Sequence, residues 1–314
     1  MQLHQLVNTI GQDLQRRYGQ KVHKLSLHGG FSCPNRDGTI GRGGCTFCNV
    51  ASFADEATQI KSIHDQLQDR AGEVKRAKKY LAYFQAYTNT YAEVQVLKNM
   101  YEEALKAADM VGLCVGTRPD CVPDAVLELL SGYVEQGYEI WLELGLQTAN
   151  NDTLKRINRG HDFECYAEIT RRARALGIKV CTHLILGLPK ESRADYHDTL
   201  DKVLEVGTDG MKIHSLHIVD GSTMGKAWKA GRLDVISMQE YVEACSELIR
   251  KTPPDVVFHR VVSSAKKPVL LAPDWCENRW LAMTDIGRNL DQLGAQGSDL
   301  GTPFIYQQPV LTSA

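Results

Sequence analysis

The chain has 314 residues, 43% of them apolar and 24% charged, ordinary values for a globular protein with a sizeable core. Its formal net charge of −2 excludes a uniformly basic nucleic-acid coat but not a local basic face. No apolar run approaches the roughly 18–20 residues that cross a bilayer, and the N-terminal stretch lacks the apolar region of a secretory signal. The expected location is therefore cytoplasmic, with no membrane partner.

Short β-like runs alternate with longer helical patterns. Strands are predicted over 22–28, 80–85, 111–116, 139–144, 178–186 and 211–218, with helices near 61–78, 93–108, 123–136, 150–175 and 193–206. This alternation reads as βα units around a parallel sheet. Six strands suit a partial (β/α)6 barrel of TIM-like type, in which chemically active residues follow the strand ends. After Gly231 the pattern changes. A helix fits 237–250 and stops at Thr252-Pro253-Pro254, an extended run covers 256–262, and a last helix lies near 277–293. The expected organisation is a helical lead-in over 1–20, a core over 21–235, and a C-terminal α+β extension over 236–314 that covers the barrel. The tail, with Pro303, Pro309 and Ser313, is expected to be loose.

The loop after the first strand reads GGFSCPNRDGTIGRGGCTFCN. Cys33 and Cys45 are 11 residues apart in the intervening count, and Cys45 and Cys48 two. Glycines crowd the loop, which lets the backbone wrap closely and aim N–H groups at a buried anion. Three thiolates on a four-iron cluster leave one iron open for a ligand, whereas a structural zinc site closes with a fourth ligand. Spacing alone leaves both readings standing, with His28 or a distant residue completing a zinc site. The other six of the nine cysteines are scattered and read as small buried hydrophobes. Phe47 fits either a core position or a surface on which an aromatic ligand stacks.

Other constellations carry weaker signals. Glu143 lies among Trp141, Leu142, Leu144 and Leu146, and a carboxylate in such company needs a partner. Arg156, Arg159 and His161 follow, and a guanidinium there suits a carboxylate. Arg118 and Asp120 are placed to pair with each other. His214 and His217 are three apart on a predicted strand, so they should face opposite sides. The basic runs Lys75-Arg76-Lys78-Lys79, Arg171-Arg172-Arg174 and Lys266-Lys267 read as solvated faces or a nucleic-acid footprint. Neither GxxxxGK[ST] nor GxGxxG occurs, which removes nucleotide hydrolysis and dinucleotide binding.

The cysteine loop and an ordered set of strand-end segments resemble the radical S-adenosylmethionine (radical SAM) superfamily. The segments are TRPD at 117–120, ELGLQT at 143–148, LKRINRGH ending at His161, HLILGLP at 183–189 and KIHSLHIVDGS at 212–222. The wide cysteine spacing is similar to the elongator catalytic subunit branch and, within it, to the YhcC-type family. The resemblance implies that Cys33, Cys45 and Cys48 hold a 4Fe–4S cluster whose open iron chelates SAM. It further implies a SAM shell of Phe47, Asn89, Glu143, Gln147 and Arg156, with the backbone of Leu184 and Ile185 near the adenine. The Gly-Gly-Glu usual after the second strand is replaced by Ala86-Tyr87-Thr88-Asn89-Thr90. The implied activity is reductive cleavage of SAM to a 5′-deoxyadenosyl radical that abstracts a substrate hydrogen. The implied partners are an electron donor such as flavodoxin or ferredoxin and a substrate for which tRNA is the leading candidate. The elongator subunit's acetyltransferase activity should be absent. The rival classes are a zinc-stabilised RNA-binding module and a non-catalytic iron–sulfur sensor.

Overall fold

The computed structural model describes residues 2–49, 61–73 and 78–307. Lys75, Arg76, Pro309 and Ser313 lie outside the described residues. In chain order the elements are α1 (Leu3–Leu6), α2 (Ile10–Tyr18), β1 (Val22–Leu27), α3 (Pro34–Asp37), α4 (Ile63–Glu73), β2 (Lys79–Phe84), α5 (Val94–Lys106), β3 (Met110–Thr117), α6 (Asp124–Glu135) and β4 (Glu139–Gln147). There follow α7 (Asn151–Arg156), α8 (Phe163–Ala175), β5 (Lys179–Leu186), α9 (Arg193–Val206), β6 (Gly210–Ser215), β7 (Ile218–Val219), α10 (Thr223–Lys229), α11 (Met238–Arg250), β8 (Val257–Arg260), β9 (Leu270–Ala272) and α12 (Arg279–Leu293).

Seven strands form one all-parallel sheet in the order β1-β2-β3-β4-β5-β6-β8. Parallel sheets are covered on both faces, so their strands read as near-continuous apolar runs. β4 is the clearest case, with eight of nine residues buried. Its Leu142, Leu144 and Leu146 join the core between sheet and helices, whereas Trp141 joins a separate cluster inside the curl with Leu81, Tyr83 and Val257. Local signals set the helix starts. Asn150 and Asp162 cap α7 and α8 by accepting from backbone N–H groups, and Ser237 with Glu240 makes a capping box on α11.

The sheet is strongly curled. Laid flat, six steps of about 4.8 Å would separate β1 from β8 by about 29 Å. Yet Lys24 on β1 and His259 on β8 both reach the same carboxylate oxygen of Glu143. The half-barrel's lower mouth is plugged by α2, whose Leu14 packs with Val22, Leu81, Trp141 and Val257.

All six predicted strands are present, and the partial-barrel architecture is as the sequence implied. Two details differ. The sixth strand ends at Ser215, after which the chain turns and resumes as β7, antiparallel to β9. The extended run near 256–262 adds β8 as a seventh parallel strand, so the C-terminal segment contributes to the main sheet itself. No described helix is long and apolar enough to cross a membrane.

Candidate cofactor and substrate cavity

The cysteine loop is held at the upper mouth of the half-barrel by a second loop, the one that follows α7. Thr46 N donates to Ile157 O at 2.9 Å, Asn35 Nδ2 to Asn158 O at 2.6 Å, and Asn158 Nδ2 to Gly44 O at 2.9 Å. Asn158 has φ +54°, so α7 ends there and the chain reverses. That reversal sends Arg159 back towards β4. Its guanidinium donates to Gly145 O and lies 3.5 Å from Cys45 Sγ. Asn35 Nδ2 approaches the same sulfur at 3.7 Å. A Cβ at Gly145 would come within 2.7 Å of Arg159 Nη2 and 2.9 Å of Gln147 Nε2, so glycine is required for both side chains to lie across the strand.

These donors suit thiolates rather than packed thiols, because N–H groups and a cation stabilise sulfur anions. Burial, with Cys45 and Cys33 nearby, raises the Cys48 thiol pKa, while Arg36 opposes the rise. Among the described residues, the metal-ligating atoms that gather in threes within 4.8 Å are Cys114–Glu143–His259 and Glu143–Cys181–His183. The three loop thiols do not form such a group. A single tetrahedral ion with bonds near 2.3 Å needs that closeness; thiolates on different irons of a cluster stand farther apart. His28, the alternative zinc ligand, has its Nδ1 accepting from Gly30 N at 3.0 Å. The donor set therefore fits a cluster better than zinc.

The cysteines open onto a cavity of about 290 Å³ inside the half-barrel. It is lined by Cys33, Cys45, Cys48, Phe47, Glu143, Gln147 and Ile185, among others, so these predicted residues are brought together. Asn89, Arg156 and the side chain of Leu184 are not. Asn89 is fully buried, its Nδ2 donating to Phe84 O and Gly116 O; it ties the end of β2 to β3, and Tyr87 and Thr88 face the cavity instead. Arg156 sits at the end of α7 and donates to Pro189 O and Thr153 Oγ1. Because α7 ends after it, Arg159 takes the inward position. The Leu184 side chain alternates to the outer face and packs in the helix-side core, so only its backbone is in question for the adenine.

The cavity floor is an ionic cluster that the sequence only hinted at. Glu143 is completely buried. Its Oε1 accepts from Lys24 Nζ and lies 3.2 Å from His259 Nδ1; its Oε2 accepts from Lys212 Nζ and lies 3.0 Å from His183 Nε2. Lys212 also donates to the Tyr83 hydroxyl at 2.8 Å. Burial alone would raise the Glu143 pKa, but the two lysines hold it well below the carboxylate range. Burial lowers Lys212 to about 8 against the pull of Glu143. Burial and neighbouring cations depress His183 to about 4 and His259 to about 3, so both are neutral. Lys24 and Lys212 each occur singly on strands, and nothing in their spacing signals a common partner.

His214 and His217 both line the cavity, which corrects the alternation argument. His217 lies beyond the end of β6, where strand geometry no longer applies. Arg118 pairs with Asp120 through two hydrogen bonds of 2.9 and 2.8 Å, as their spacing suggested. Of the predicted cover, Arg260, Ser263 and Ser264 line the cavity, whereas Trp280 is 61% exposed. The basic runs are largely matched by acids: Arg172 with Asp124 and Glu168, Arg174 with Asp209, and Lys267 with Asp274 and Glu277.

Residues 36–203 match the Radical SAM superfamily and residues 208–292 the Radical_SAM C-terminal domain. The chain is 65% identical over 305 residues to Protein YhcC of Escherichia coli (strain K12), covering 97% of this chain and 99% of that protein. Among solved structures, the archaeal Methanocaldococcus infernus Elp3 superposes with a TM-score of 0.63 at 17% identity, covering 88% of this chain and 64% of that one. Streptococcus suis SuiB bound to S-adenosylmethionine superposes with a TM-score of 0.52 at 12% identity, covering 80% and 53%. Such low identities establish the partial-barrel fold alone. The chain is thus a radical SAM enzyme, a member of the superfamily whose cofactors are a 4Fe–4S cluster and S-adenosylmethionine.

Proposed function

We propose that Cys33, Cys45 and Cys48 ligate the cluster and that the half-barrel cavity holds SAM next to it with the substrate beyond. The strongest support is the convergence of three cysteines, Arg159 and Gln147 at one mouth of a cavity whose other end is closed by the Glu143 cluster. When bound and reduced, the cluster supplies the electron that splits SAM into methionine and a 5′-deoxyadenosyl radical, which takes a hydrogen atom from the substrate. The electron comes from a separate one-electron donor, of flavodoxin or ferredoxin class. Arg159 and Asn35 hold the Cys45 thiolate, and Phe47 and Ile185 offer apolar surface for the adenine. The curled sheet and the segment from Arg260 to Ser264 keep bulk water from the radical. tRNA as substrate rests on the elongator resemblance.

Anaerobic purification tests this reading. The protein should be brown, carry iron and sulfide in equal amounts, and release 5′-deoxyadenosine on reduction with SAM. Cys45→Ala should lose most of the iron, whereas Cys165→Ala should keep it. Colourless protein with bound zinc, or a cluster that never cleaves SAM on reduction, would overturn the reading.

A further inference from the structure

The charges around the cavity do not balance. Among the described lining residues Glu143 is the one carboxylate, against the cations Arg36, Arg118, Arg159, Lys212 and Arg260. Three of these cations are engaged near the upper mouth. Arg118 is taken by Asp120, Arg36 donates to Cys48 O at 2.8 Å, and Arg159 faces Cys45. On the floor, Lys212 must share Glu143 with Lys24. Arg260 has no acidic partner among the described residues.

Across the sheet Arg260 stands beside Lys212, whose ammonium turns to Glu143, and at its own end of the wall its neighbours are neutral donors. His217 Nε2 lies 3.2 Å from Ser263 Oγ, and Ser264 and His214 complete this end of the wall. Burial and the nearby Arg260 depress His217 to about 4 and His214 well below its ordinary value. Three cations thus face one carboxylate, an excess of two positive charges in a partly enclosed, low-dielectric space. Arg260 is half-buried, and a guanidinium without an acid in a partly enclosed site is a ready seat for a negatively charged group. A guanidinium fork matches a carboxylate or a phosphate.

We propose that this floor recognises the substrate through an anionic group, a carboxylate or a phosphate, seated on Arg260 with His217 and Ser263 beside it. The assignment rests on the radical SAM reading of the same cavity and names its substrate class. The cavity of about 290 Å³ is at the small end for ligand pockets and is shared with SAM, so this end admits a small anion; the tRNA that the elongator resemblance suggests is the rival reading.

The test uses the reconstituted holoenzyme with SAM bound. Inorganic phosphate and glutarate probe the two anion chemistries, glutaramide is the neutral control, and calorimetric titration reads binding. Wild type should bind at least one anion, and bind glutaramide at least about tenfold more weakly. Arg260→Gln should weaken anion binding by about tenfold or more, with partial recovery in Arg260→Lys. Failure of both anions to bind at millimolar concentration, or equal binding of glutaramide, overturns the proposal without requiring any variant to fold. A parallel loss of SAM affinity in Arg260→Gln, read from the cluster's electron paramagnetic resonance signal, would make Arg260 a SAM ligand and also overturn it. So would salt-sensitive binding of total tRNA that displaces the anion. Anion binding without 5′-deoxyadenosine formation would instead refute the radical reading and leave the anion site standing.

Discussion

Arg159 presents a cation and N–H donors to the Cys45 sulfur while two of its nitrogens hold Gly145 O. Donors and positive charge near a cluster thiolate favour the reduced, more negative state. Arg159→Gln should therefore lower the cluster's reduction potential, as measured by redox titration followed by electron paramagnetic resonance. An unchanged potential would mean that Arg159 serves only the loop backbone. Glu143 gives a contrasting expectation. It is the common partner of Lys24, Lys212, His183 and His259, so Glu143→Ala leaves two lysines facing each other in the interior. Removing one partner of a buried ion pair costs about 3–5 kcal/mol, and the denaturant midpoint should fall accordingly. If the variant matches wild type in stability, the cluster is not the anchor its geometry indicates. The apolar neighbours of Glu143 announced that a carboxylate there needs partners. Which residues they are was not legible, because they come from strands far apart in sequence that meet only once the sheet curls.

At the level of elements, the link between β4 and the loop after α7 sets the cysteine loop. Gly145→Ala would drive a methyl into the Arg159 guanidinium, so reconstituted iron content should drop. Gly132, inside α6, has open space where a Cβ would stand, with nothing within 4 Å, and Gly132→Ala should raise stability by up to about 1 kcal/mol with iron unchanged. Equal iron content in the two variants would show that the Gly145–Arg159 crossing does not govern the loop. The strands were legible because parallel strands covered on both faces read as apolar runs, and β4 is the plainest example. The inward arginine was harder to choose. Arg156 and Arg159 are three apart, a spacing that on a continuous helix puts both on one face. The left-handed Asn158 separates them; Asn with Gly160 close behind is a helix-stop signal, which a helix drawn through 150–175 passes over. β8 was visible as an extended run, but its place beside β6 depends on α10, α11 and the intervening loops folding back, which periodicity does not encode.

For the whole molecule, the buried imidazoles shape the response to pH. His183 and His217 are depressed to about 4 and His259 to about 3, chiefly by burial and then by cations. In the unfolded chain they regain their ordinary value of 6.5 and bind protons that the folded barrel refuses. Stability from these groups is full above about pH 6.5 and is lost as pH falls towards 4. Glu191 acts in the opposite sense. Burial raises it to about 7 from its ordinary 4.5, so its contribution is full below 4.5 and is lost as pH rises through 7. Thermal midpoints between about pH 7 and 4 should therefore fall steeply on the acid side, and His217→Gln should flatten that slope; an unchanged slope would show that His217 titrates normally. Deletion after Thr252 should abolish the folded state rather than only uncover the cavity, since it removes β8 and the fully buried Ile286 of α12; a soluble, cooperatively unfolding product would refute this. The two ends of the chain also meet. Asn8 N donates to Gln296 Oε1 at 2.8 Å, Gln296 N to Leu6 O at 3.0 Å, and Phe258 N to Asn8 O at 2.8 Å. During synthesis the cysteine loop leaves the ribosome long before β8, and the floor partner His259 arrives equally late. Loop closure over such separations is slow. The half-barrel must therefore wait unsealed through most of its translation, with Asn8, just before α2, lacking its partner Phe258 and β6 its outer neighbour, and arrested chains lacking β8 should be cut by a protease far faster than the finished protein.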